Sequence, residues 1–208
     1  MSSWSTRGRV VPVHDLCDYF RSSIDAAVAQ QSVTVDPHAT HYVVNLMTSF
    51  SRSENLYEDD GEVYGIRPLA LMLADAAEAP TAAERNRLLR RIGDVALFVS
   101  GFFSNHLANK AVDIDYYIAM GQNAYGVLSD EVIGTFRGNA FADVWRELAS
   151  KFCVLIDVLQ EVRDDGCPES SLSVLRQYEI WLKTGSKRAE QQLKAQGIVP
   201  IVTPGRQH

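Results

Sequence analysis

Apolar positions recur along almost the whole chain with the spacing of an α-helix, and convincing alternation of period two is absent. The strongest segment runs from Leu88 to Phe103. At 100° per residue Leu88, Leu89, Ile92, Ala96, Val99 and Phe103 share one face. The opposite face begins with Arg87, Arg90, Arg91 and Asp94, then turns apolar at Leu97, Phe98 and Gly101. A helix that is amphipathic in its first half and apolar all round in its second is enclosed by other helices. The pattern predicts an all-α fold, a single-domain bundle of about seven to nine helices around a buried central helix at about 82–105.

Local signals place the other elements. Residues 14–30 carry Leu16, Tyr19, Phe20, Ile24, Ala27 and Val28 on one stripe. Asp36 and Pro37 open a second helix, as N-cap and first helical residue, with Val43, Leu46, Met47 and Phe50 on its apolar face. The stretch from Ser51 to Gly65 is a polar connection, and Pro68 starts a short helix through about Glu78. Thr81 and Glu84 form a capping box for the central helix, which should end near His106. Asp113 caps the next helix, and Ser129 is placed to cap another short one, interrupted near Gly138 and Asn139. From Ala140 a single helix of ~24 residues, about 36 Å long, carries a seam of Phe141, Val144, Trp145, Leu148, Phe152, Leu155, Ile156, Leu159 and Val162. A helix over about 169–184 stopped by Gly185, a polar last helix from Lys187 to Gln196, and flexible ends at about 1–10 and 198–208 complete the expectation.

Composition changes this picture little. With 208 residues, 46% hydrophobic and 22% charged, the chain has enough material for one sizeable core. A net charge of −6 argues against coating nucleic acid, which needs a basic face. The apolar stretch Val95–Phe103 is about half the ~20 residues a bilayer requires, so no membrane partner is expected. The first residues lack a secretory pattern, and Cys17, Cys153 and Cys167 are odd in number and widely spaced. These features suit a cytoplasmic protein with free thiols.

Three constellations bear on chemistry. Asp94 lies within one or two helical turns of Arg87, Arg90 and Arg91, at the border of the buried half of its helix. A carboxylate there needs partners, so the group is an internal ion pair that pins the helix, an anion or carboxylate site built on the surplus guanidiniums, or the footprint of a protein partner. The run Asp113, Asp115, Tyr116, Tyr117, Gly121, Tyr125, Gly126 places tyrosines beside carboxylates, where they either line a polar pocket or are buried with satisfied hydroxyls, the commoner case, and Gly121 lets a neighbouring helix approach closely. His106 stands just before it and would join such a pocket or cap a helix end. His38 and His41, spaced i, i+3, would need two further ligands to hold a metal, and exposed first-turn histidines are the simpler reading. There is no phosphate-binding Gly-rich loop, dinucleotide fingerprint or nucleophile elbow, so no catalytic residue, metal or cofactor is assigned.

The stretches Leu89–Phe103, Asp115–Gly121 and Tyr178–Ser186 resemble those of uncharacterised bacterial proteins of similar length, over about residues 36–200. The resemblance implies a bacterial, cytoplasmic, single-domain helical protein and attaches no activity to it. Two expectations of function follow. The first is a non-catalytic interaction or regulatory module that binds a protein partner or self-associates. The second is a binder of, or enzyme on, a small anionic or aromatic ligand held between the central helix and the helix bearing Tyr116, Tyr117 and Tyr125.

Overall fold

The computed structural model describes residues 15–52, 56, 58–59, 64–104, 113–132, 138–166, 181 and 184–195. Among them are eight helices, α1 (Leu16–Gln30), α2 (Pro37–Phe50), α3 (Leu69–Glu78), α4 (Ala82–Phe102), α5 (Ile114–Val132), α6 (Gly138–Ser150), α7 (Phe152–Gly166) and α8 (Lys187–Ala195). The expected helix over about 169–184, the chain ends at 1–10 and 198–208, His106 and Cys167 fall outside the described residues, apart from Trp181 and Thr184.

The helix starts are written in local chemistry. Asp15 accepts from the Cys17 N–H at 2.8 Å, Asp36 from those of His38 at 2.8 Å and Ala39 at 3.3 Å, and Thr81 from that of Glu84 at 3.2 Å. Each satisfies a backbone donor that the first turn leaves unpaired. Gly185, at φ +64°, supplies the left-handed turn between Thr184 and α8.

The bundle closes around α4. Every residue from Ile92 to Gly101 is buried, polar and apolar alike, and α4 packs against α3, α5 and α7. The neighbours approach closely because glycines let them. A Cβ on Gly93 would lie 2.5 Å from the Tyr125 ring, and one on Gly101 would lie 2.7 Å from Leu159 Cβ. On α5, a Cβ on Gly121 would strike the Phe152 ring and come within 2.9 Å of Ala96 Cβ, which is the close helix approach its sequence position implied.

Four details depart from the sequence pattern. The long helix expected from Ala140 is divided at Lys151 into α6 and α7. There the Ser150 hydroxyl donates to the Glu147 carbonyl at 3.1 Å, a side-chain bond of the kind that bends helices. Lys151 Nζ is drawn sideways to Glu147 Oε1 and the Thr34 carbonyl, both at 2.7 Å. Ser129 caps nothing; α5 runs through it to Val132, and its hydroxyl donates to the Ala142 carbonyl at 2.9 Å. Leu16 and Phe141 are exposed rather than seated on their stripes. Within the polar connection, Glu58–Asp59 (β1) pairs antiparallel with Tyr64–Gly65 (β2), a ladder of two residues on each side.

The last helix is polar but firmly docked. Ala189 and Leu193 are buried, and so is Arg188, which meets Glu161 Oε2 at 2.7 Å, Gln160 Oε1 at 3.2 Å and the Asp164 carboxylate. The Ser186 hydroxyl accepts the Ala189 N–H at 3.1 Å and donates to Asp157 Oδ1 at 2.6 Å. Burial lifts the Asp157 carboxyl from its ordinary 3.8 to about 6, against Ser186 and the N–H groups of Arg188 and Lys187, which favour the charged form. The folded protein therefore holds this proton more tightly than the unfolded chain does. The associated stability is complete at acid pH below the ordinary carboxyl range and is lost as pH rises through the folded value. Asp157→Asn keeps an acceptor for Ser186 and has no charge to bury. Urea unfolding should find it close to the parent near pH ~4 and more stable by about 3 kcal/mol at pH ~7. An advantage that does not grow with pH would show a carboxylate in contact with water.

Candidate functional site

The residues that sequence reasoning grouped around Asp94 are brought together on one side of α4. They face α2 across a cleft of about 590 Å³, lined by Tyr42, Asn45, Leu46, Ser49 and Phe50 from α2 and by Arg87, Leu88, Arg90, Arg91 and Asp94 from α4. The cleft exists because α2 packs on α1 and α6 and meets α4 through long side chains. The Phe50 and Phe98 rings touch edge to face at 5.3 Å, and a polar bridge spans the gap at Tyr42.

Asp94 is the base of that bridge, with its side chain only 10% exposed. One carboxylate oxygen, Oδ1, accepts both the Tyr42 hydroxyl at 2.5 Å and the Tyr125 hydroxyl at 2.7 Å. Arg90 Nε donates to Tyr42 Oη at 2.9 Å and stands 3.7 Å from Asp94 Oδ2. The ion pair expected within α4 is therefore present but long, and phenols from two other helices are the close partners. Burial pushes the Asp94 carboxyl above its ordinary range, while Tyr42, Tyr125, Arg90 and Arg91 all pull the other way. Both phenols are held well above theirs, by burial and by the negative carboxylate, so they remain protonated donors. Burial works against the Arg90 charge, but Tyr42 and Asp94 outweigh it, and its pKa is raised.

The guanidiniums are ordered by aromatic rings. Arg90 lies over Tyr42 at 5.2 Å and over Trp145 at 5.8 Å from the ring centroids, and Arg91 lies over Phe50 at 4.9 Å. Stacking of this kind fixes a planar cation while leaving its N–H edge for hydrogen bonds. Arg91 spends part of that edge on the Leu56 carbonyl at 2.8 Å. Arg87 is 74% exposed at the rim, with Glu84 3.7 Å away.

The tyrosines expected beside the arginines divide into two groups. Tyr125 is fully buried against Gly93 and reaches Asp94 from the side of α5, behind the cleft. Tyr116 and Tyr117 pack edge to face on each other at 5.6 Å and do not line it. They sit eight or nine residues before Tyr125 on the same helix, a displacement of about 12–13 Å at 1.5 Å per residue. His38 and His41 are exposed on the first turn of α2, where a His41 ring nitrogen meets the Asn45 amide at 3.0 Å. Among the described residues no three His, Cys, Asp or Glu side chains are grouped to hold a metal ion. Cys153 is half-buried, and burial raises its thiol pKa, helped by Asp157 and Asp115, away from the thiolate form.

The residue that reading by sequence missed is Tyr42, with Asn45 and Ser49 beside it. Its signal was present, since Tyr42, Asn45, Ser49 and Phe50 fall at i, i+3, i+7 and i+8 along the margin of the apolar face of α2.

Among the described residues no helix is long and apolar enough to cross a membrane. No protein-family model, no curated protein and no solved structure matches the chain.

Proposed function

We propose that this protein binds a small anionic ligand in the cleft between α2 and α4 and does no chemistry on it. One observation carries the reading: Arg87, Arg90 and Arg91 line a concave, partly apolar site of about 590 Å³, within the size of ordinary ligand pockets. Guanidinium edges suit carboxylate and phosphate oxygens, and the Phe50, Leu46 and Leu88 side chains offer an apolar wall. The buried acid of the site is tied to two phenols that burial and the carboxylate keep protonated, which makes them poor nucleophiles and suits binding better than turnover.

Because Arg90 lies over Trp145, occupancy of the cleft should register in tryptophan fluorescence. Titration with benzoate and with inorganic phosphate at low ionic strength should change the emission and raise the melting temperature. Arg87→Ala, at an exposed rim position, should weaken the response at least about five-fold without changing the fold. An unchanged response in that variant, or none in the parent at millimolar anion, would sink the reading.

A second reading, a protein-interaction or self-associating module, draws on Leu71, which is 53% exposed on the outer face of α3. It expects self-association in light scattering that Leu71→Glu abolishes. A parent that is monomeric at high concentration and retains no partner on affinity capture would exclude it.

A further inference from the structure

We infer that the ligand of this cleft carries both charges, an anionic group for the guanidinium rim and an ammonium for Asp94, as an α-amino acid with an apolar side chain does. The inference rests on the anion-binding reading above and specifies its chemistry. The starting point is the asymmetry of the Asp94 carboxylate. Both phenols converge on Oδ1. Among the described residues Oδ2 accepts no hydrogen bond, and Arg90 Nε stands 3.7 Å from it, beyond hydrogen-bond reach. Yet the side chain is nine-tenths buried and contributes to the lining of the cleft. Oδ2 opens on the cleft rather than being sealed from solvent, so it is served by water until a ligand donor takes that water's place.

A plain anion fits this floor poorly. Its charge would be drawn to Arg87 and Arg90 but held near the Asp94 carboxylate, which repels it. A zwitterion removes the conflict. Its ammonium takes Oδ2, and its carboxylate, two bonds away, reaches the guanidinium edge of Arg90 or Arg87, the same separation of charges that the site itself displays over 3.7 Å. The body of the ligand then lies against Leu46, Leu88 and Phe50. The phenols keep Oδ1 occupied and the carboxylate oriented, so only Oδ2 is presented to the ligand.

Three matched probes test this by calorimetry on the full chain: L-phenylalanine, 3-phenylpropionate, which lacks the ammonium, and 2-phenylethylamine, which lacks the carboxylate. The zwitterion should bind at least ten-fold more tightly than either relative. In Asp94→Asn, which leaves an acceptor for the phenols but offers an amide in place of the anionic oxygen, that preference should vanish, with 3-phenylpropionate binding no more weakly than to the parent. Arg87→Ala provides a second variant, and it should weaken the two carboxylate probes together while sparing 2-phenylethylamine. If 3-phenylpropionate binds the parent as tightly as L-phenylalanine does, or if Asp94→Asn leaves the preference intact, the zwitterion assignment is overturned and anion binding stands. If none of the probes binds, and benzoate and phosphate fail as well, both readings fall.

Discussion

Asp94→Ala is expected to lower the unfolding free energy by about 3–5 kcal/mol, a fall in melting temperature on the order of 10 °C for a chain of this length. The Tyr42 and Tyr125 hydroxyls both end on this carboxylate, and Tyr125 is fully buried, so it has no water to turn to. Each stranded donor costs about 1–3 kcal/mol, and Arg90 loses the negative charge it faces. Relief from the desolvation of the carboxylate offsets only part of this, because the alanine also leaves a void at the point where α2, α4 and α5 meet. Tyr125→Phe removes one bond and leaves the carboxylate with Tyr42, so it should cost nearer 1 kcal/mol. Chemical unfolding followed by circular dichroism measures both. An Asp94→Ala variant within about 1 kcal/mol of the parent would mean that the carboxylate is hydrated and the phenols have other partners.

The second large effect is a reversal of sign between two glycines. Alanine is the better helix former by about 1 kcal/mol, so propensity alone predicts that Gly→Ala stabilises at any interior helical position. Gly126, on α5, obeys that rule, since an added Cβ meets nothing within 4 Å. Gly126→Ala should raise stability by up to about 1 kcal/mol. Gly93→Ala should do the opposite. Its Cβ would lie 2.5–2.7 Å from three atoms of the Tyr125 ring, a buried aromatic with no room to retreat. Displacing that ring also draws its hydroxyl away from Asp94 Oδ1, so overpacking and a lost buried hydrogen bond act together. A loss of about 3 kcal/mol or more is expected. Parallel melts of the two variants check it, and two shifts of the same sign would contradict the packing described between α4 and α5.

The elements that were readable in advance are those whose causes are local. Asp36 followed by Pro37, and Thr81 three residues before Glu84, announce helix starts because a cap involves only the next few backbone donors. The enclosure of α4 was equally open to inspection, since a helix apolar on every side has nowhere else to go. Ser129 and the Lys151 junction were misjudged for the converse reason. A serine hydroxyl serves a cap or a neighbouring helix equally well, and the Ala142 carbonyl that claims Ser129 lies across the α5–α6 contact. The seam of Phe141 to Val162 keeps its phase across Lys151, so periodicity carries no trace of the break.

For the candidate site the same division holds. That Asp94 needs partners follows from its address on a helix half polar and half buried, and no coordinates are required to see it. Which groups meet that need could not be read along one helix, because Tyr42 and Tyr125 lie 52 and 31 residues away in the chain. The arginines one turn away looked closer in sequence, yet they are set outward over Tyr42, Trp145 and Phe50. Hydrophobic period and capping chemistry are properties of neighbours in the chain, and they sufficed for the helices and for the burial of their central member. A cleft is a property of surfaces that fail to meet. Its position between α2 and α4, rather than beside Tyr116 and Tyr117, was set by how far apart the packed helices hold their backbones.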